Sequence, residues 1–144
     1  MKLKFLLLYD MELIRLNSKH LGLLSRFLTR ESKVSPFKTF DETQIGIAIK
    51  AEGALQQVFF VTLTADSAIT QIVGKYRDDT YKLFDVLCAI CASQTPEIEQ
   101  HVIEVPMVDR YNFWECFKKS RLGGYYVSRT ETETQLDILI KYPI

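Results

Sequence analysis

Gln44-Ile-Gly-Ile-Ala-Ile-Lys-Ala51 and Gln57-Val-Phe-Phe-Val-Thr-Leu-Thr64, separated by a short stretch that contains Glu52-Gly53, decide the fold class. In the first run Ile45, Ile47 and Ile49 fall on one face at the two-residue period of a strand. The second run is dense in β-branched and aromatic residues, which suit a pleated, half-buried surface. Together they predict an antiparallel hairpin, with a connection other than the tight Asn-Gly type. Downstream, Asp66 is placed to cap a helical region carrying Ala68, Ile69, Ile72, Val73 and Tyr76. That region breaks near Arg77-Asp78-Asp79, resumes through Leu83, Phe84, Leu87, Ile90 and Cys91, and cannot continue past Pro96. Residues 98–105 read as a strand stopped by Pro106. Asp109 then opens a short helix with Tyr111, Phe113, Trp114 and Phe117 inward, Lys118, Lys119 and Arg121 in its last turn and Gly123 as a left-handed exit. Residues 124–129 and 135–141 form a second hairpin across the polar run Thr130–Thr134.

Upstream, residues 2–8 alternate as a strand, 11–16 are ambiguous, and a helix follows Ser18 with Leu21, Leu24 and Leu28 as its stripe. Residues 31–43, with Pro36, read as a loop or linker inside a single domain spanning 1–144. The element order β-α-β-β-α-β-α-β-β predicts an α+β fold: a mixed, mostly antiparallel sheet with about three helices.

Composition narrows the class further. Of the 144 residues 47% are apolar and 25% charged, which excludes a disordered tail, and 18 basic groups balance 18 acidic ones. Net neutrality argues against a nucleic-acid coat. No stretch approaches the ~20 apolar residues of a membrane span, and the apolar run Phe5–Tyr9 is shorter than a signal core. Cys88, Cys91 and Cys116 cannot all pair within one chain, so a reducing, cytoplasmic setting is expected. The neutrality conceals a pattern. Residues 1–38 hold 8 basic and 3 acidic groups, 39–109 hold 4 and 11, and 110–144 hold 6 and 4.

Few residues carry chemistry. Cys88-Ala-Ile-Cys91 lies late in an apolar helix, where thiols pack as small hydrophobes rather than act as a redox pair. Cys88, Cys91, His101 and Cys116 lack the second close pair of a zinc finger, so no metal is expected. His20 and His101, the two histidines, stand without a nucleophile elbow or phosphate loop, and no catalytic residue is assigned.

One family pattern is partly present. Gln71-Ile-Val-Gly74-Lys-Tyr76 and the element order over 44–142 resemble the second half of the GCN5-related acetyltransferases. In that family a Gln/Arg-x-x-Gly-x-Gly/Ala loop holds the pyrophosphate of acetyl-CoA on backbone amides at a helix start. Gln71 and Gly74 match, while Tyr76 stands where a tiny residue is required. The resemblance implies a small acetyl-CoA-dependent N-acyltransferase with a degenerate pyrophosphate loop, in which Gln71 and Gly74 would touch the cofactor.

The leading reading is different. The acidic middle and the missing catalytic set point to a non-enzymatic binding domain, of inhibitor, immunity or regulatory type, with no cofactor. Asp78, Asp79, Asp85, Glu97, Glu99 and Glu104 would share one side and steer a partner protein with a basic surface.

Overall fold

The structure, a computed structural model, describes residues 11–37, 39–94 and 98–142. Glu12–Arg15 forms β1, and Leu21–Arg30 forms α1 after a 3-10 turn at Ser18–His20. Gln44–Ala51 is β2, Ala54–Leu63 is β3 and Ser67–Gly74 is β4. Thr80–Gln94 is α2, Gln100–Pro106 is β5 and Arg110–Phe117 is α3. Tyr126–Glu131 is β6 and Gln135–Ile140 is β7. Among the described residues the strands make one sheet in the order β1-β2-β3-β4-β5-β7-β6. Its pairings are antiparallel except between β4 and β5. The expected class, a mixed and mostly antiparallel α+β fold with three helices, is the one observed.

The two faces of the sheet bury different sets. Phe59, Ile72, Ile103 and Ile138 face α2 and α3 and pack on Leu83, Phe84, Leu87, Phe113 and Phe117. Val58 and Phe60 face α1 and pack on Leu24, Phe27 and Leu28, with Phe37 from the following loop. A central strand buried this way carries apolar residues on both faces and loses the clean alternation of a half-exposed one.

The segment 67–74 departs from its sequence reading. It is strand β4, not helix, and the next helix begins at Thr80. Ala68, Thr70 and Ile72 are buried on one face, and the β-branched Ile69, Thr70, Ile72 and Val73 favour an extended chain. Asp66 does not cap a helix. Its carboxylate meets Thr64 and Ser67 in the β3–β4 turn, and its carbonyl accepts the Glu99 amide.

Other differences are local. Residues 11–16 supply β1, and Asn17 rather than Ser18 caps the first turn: its side chain accepts the Lys19 amide at 2.9 Å while His20 Nδ1 accepts the Asn17 amide. The β2–β3 connection is tight after all, since Ala51 pairs with Ala54 across Glu52 and Gly53, both at positive φ as in a primed hairpin turn. Asp109 stands at the start of α3 without a side-chain cap bond. Gly123 is not a left-handed exit. A Cβ there would lie 2.5 Å from the Phe117 carbonyl, which explains the glycine. The strand read over 2–8 and the stop at Pro96 lie outside the described residues.

Gly74 closes β4 with φ +107°, and a Cβ on it would lie 2.6 Å from the Gln56 carbonyl oxygen and 2.9 Å from Phe27 Cζ. Gly53, also at positive φ, faces open space. Gly74→Ala is therefore expected to lower stability by about 2–4 kcal/mol, combining backbone strain with overpacking. Gly53→Ala should lose about 1 kcal/mol. Urea unfolding of both variants checks the contrast; equal losses would show that the space around Gly74 yields.

Candidate functional site

β4 and β5 run parallel from the Ser67–Gln100 pair to the Gln71–Glu104 pair and then part. Beyond that point β4 continues to Gly74 along β3 alone, and β5 continues to Pro106 along β7 alone. The β5-facing backbone of residues 72–74 thus has no strand partner, and Pro106 brings no N–H to the gap. In open sheets a ligand needs such a break, because elsewhere every backbone group is taken by the next strand.

Glu104 stands where the strands part, on the α1 face. The Gln71 amide donates to Glu104 Oε1 at 3.0 Å, and the Gln135 amide lies 3.5 Å from Oε2. Gln135 Nε2 also donates to Asp137 at 2.6 Å, so one amide links two carboxylates of neighbouring strands. Among the described residues no cation lies within ion-pair distance of Glu104, which leaves its charge unneutralised. A cavity of about 240 Å³ opens beside it, with Gln71, Glu104 and Gln135 as its polar wall and Val34, Ile72 and Pro106 as its apolar one. Lys33 stands at the rim. Two larger clefts, of about 390 and 350 Å³, follow the loop after α1 and do not reach the parted strands.

Tyr76 lies on the helix side of the gap. Its ring packs on the larger core, near Asp109 just past β5 and near Cys116 of α3. Burial and those neighbours hold its phenol well above the usual range. The Cys116 thiol donates to the Arg77 carbonyl at 3.5 Å, which ties α3 to the segment leaving β4. Asp109 itself is raised above the ordinary carboxylate value by partial burial, against the pull of Lys33.

The residues singled out in the sequence are scattered. Gln71 points at Glu104, and Gly74 is packed against β3 and Phe27, so neither lies in a loop at a helix start. Asp78 and Asp79 precede α2, and Asp85 on α2 accepts the Arg121 amide at 2.8 Å. Glu99 is exposed ahead of β5, and Glu97 lies outside the described residues. Glu104 is on the opposite face of the sheet from α2, so the acids do not form one patch. Reading Glu104 as one acid of a patch missed its tie to Gln71, which depends on the parallel register and leaves no mark in either strand's own sequence.

The cysteines and His101 lie in the interior, and His20 completes the cap of the first turn. All three thiols are free and buried, and burial pushes Cys91 up to about 11. His101 is fully buried beneath α2, with the Thr70 and Tyr142 hydroxyls each 2.7 Å from a ring nitrogen and Cys91 Sγ at 3.9 Å. Cys116 sits apart from that cluster, and among the described residues no group of three or more His, Cys, Asp and Glu converges on a metal position. Among the described residues, too, no helix is long and apolar enough to cross a membrane.

No family model matches the sequence, and no curated protein matches it. Solved structures do. The GNAT domain of S. lividans PAT superposes with a TM-score of 0.66 at 12% identity, over 92% of this chain and 90% of that one. A GNAT-family acetyltransferase from Streptococcus pneumoniae gives 0.63 at 12% identity, over 90% and 97%. The Campylobacter jejuni N-acetyltransferase PseH, solved in complex with acetyl coenzyme A, gives 0.56 at 12% identity, over 92% and 99%. These neighbours overturn the reading as a non-enzymatic inhibitor or immunity-type domain with a basic protein partner: the architecture is shared with acetyltransferases, and nothing in it supports such a partner. The chain has the GNAT acetyltransferase fold, with Glu104 at the parting of its parallel strands.

Proposed function

We propose that this chain transfers an acyl group from a thioester to a primary amine at the parting of β4 and β5, in a reducing, cytoplasmic setting. The observation that carries the reading is Glu104, a carboxylate held by Gln71 and Gln135, without an ion-pair partner among the described residues, beside a cavity at a break in the sheet. An amine arrives as an ammonium ion, which such a carboxylate attracts, and it must lose a proton before its nitrogen can attack. Glu104 is positioned to accept that proton. Gln71 and Gln135 fix the carboxylate without cancelling its charge. The unpaired backbone of residues 72–74 offers hydrogen bonds to amide groups of the donor. Asp137, linked through Gln135, adds negative charge on the acceptor side. In the balanced reaction the amine nitrogen bonds to the acyl carbon, the carbon–sulfur bond breaks, and the thiol leaves with a proton.

Thiol release from S-acetylpantetheine in the presence of a panel of primary amines tests this. Wild type is expected to release thiol faster than the uncatalysed mixture, and Glu104→Gln should cut the rate by about 10²–10³-fold. No release with any amine, or equal rates for the two proteins, would overturn the reading.

A further inference from the structure

We infer that the donor is recognised without a nucleotide diphosphate, so that coenzyme A has no binding advantage over bare pantetheine; this rests on the acyl-transfer reading above. A diphosphate is held at a helix start by free backbone amides that it can approach closely. The segment entering α2, Lys75-Tyr-Arg-Asp-Asp-Thr80, contains no glycine. Two of its amides are engaged internally, Arg77 N–H donating to Thr80 Oγ1 at 2.9 Å and Thr80 N–H to the Arg77 carbonyl at 3.1 Å, and just inside the helix Lys82 N–H donates to the Asp79 carbonyl at 2.9 Å. Thr80 in turn donates its hydroxyl to Gln57 Oε1 at 2.7 Å, which anchors the helix start to β3. Lys75, Arg77 and Lys82 offset Asp78 and Asp79, so net charge does not decide the matter. The engaged amides do.

Gly74 offers no substitute, since the space a phosphate would enter holds the Gln56 carbonyl, Gln57 Cα and Phe27. On the helix face Tyr76 packs against the larger core, and the Cys116–Arg77 bond ties the segment leaving β4 to α3. The cavity on the α1 face gives a shorter way in, and it suits a small thioester.

Calorimetry on the full chain with coenzyme A, pantetheine and ADP at one ionic strength is the test. Saturable pantetheine binding, with coenzyme A within fivefold of it and no heat from millimolar ADP, is the expected result. Coenzyme A binding more than fivefold tighter, saturable ADP binding, or no binding of pantetheine would overturn the inference. The acyl-transfer reading fails on a separate measurement, the absence of thiol release, and that outcome leaves the binding ratio unaffected.

Discussion

Phe84→Ala is expected to remove about 3–5 kcal/mol of stability, a large share of what a domain of this size possesses. Phe84 on α2 has no exposed surface and is the hub of the larger core. Its ring centroid lies 4.8 Å from Phe59 on β3, 5.5 Å from Phe113 and 5.7 Å from Phe117 on α3. Truncation opens a cavity among three rings that belong to a strand and a second helix, so the walls cannot all relax inward. Edge-to-face aromatic contacts add to the area lost from burial. Tyr111→Ala on α3 is the comparison: that side chain is 72% exposed and should change stability by under 1 kcal/mol. Urea midpoints measure both. A loss at Phe84 no larger than at Tyr111 would mean that α2 and α3 do not share one core.

Acid should unfold the protein through His101. Burial lowers this imidazole to about 3 in the folded chain, against 6.5 when unfolded. Above pH 6.5 neither state takes up the proton, and the group adds no pH dependence. Below it the unfolded chain gains a proton that the folded chain refuses, so stability falls by about 1.4 kcal/mol per pH unit until about pH 3. The geometry supports this, because Thr70 and Tyr142 satisfy both ring nitrogens of a neutral imidazole and the described surroundings hold no carboxylate to welcome a cation. Carboxylates elsewhere also titrate in this range, and His101→Gln isolates the histidine. Between pH 6.5 and 4.5 the wild type should lose about 2–3 kcal/mol more than His101→Gln, measured by urea unfolding at each pH. Parallel curves would show that the ring is protonated in the native state.

How much of this was legible in the sequence differs by element. The Ile45-Ile47-Ile49 alternation sets β2 apart without tertiary information, and Leu136, Ile138 and Ile140 do the same for β7. β4 was not recovered because it is central. Ala68, Ile69, Ile72, Val73 and Tyr76 put apolar groups on both faces, and at that density strand and helix spacings coincide. The run of β-branched residues through 69–73 was the available signal. Losing that strand also moved Gln71 and Gly74 onto a helix and hid the parallel pair with β5.

The site suffered more than the fold. Glu104 gains its meaning from Gln71, 33 positions earlier, and Gln135, 31 positions later, and only the strand order β4-β5-β7 places the three side by side. The acids of the middle segment looked collective because charge was counted along the chain. In the fold Asp85 binds the Arg121 amide on α2 while Glu104 looks out from the other face of the sheet. Tyr76 was the exception. Its bulk at a position where the family pattern has a tiny residue was visible in the sequence, and the ring packs against the larger core just past the end of β4.

The most direct test of the central claim, that the parted strands bind an acyl thioester beside Glu104, is a titration of the amide NMR spectrum with S-acetylpantetheine. The account predicts that amides of residues 71–76 and of Glu104, Val105 and Met107 shift along one saturation curve while those of the β2–β3 turn at Glu52-Gly53 stay still. Unmoved resonances at 71–76 and at Glu104, Val105 and Met107 up to millimolar ligand, or shifts confined to another surface, would contradict it.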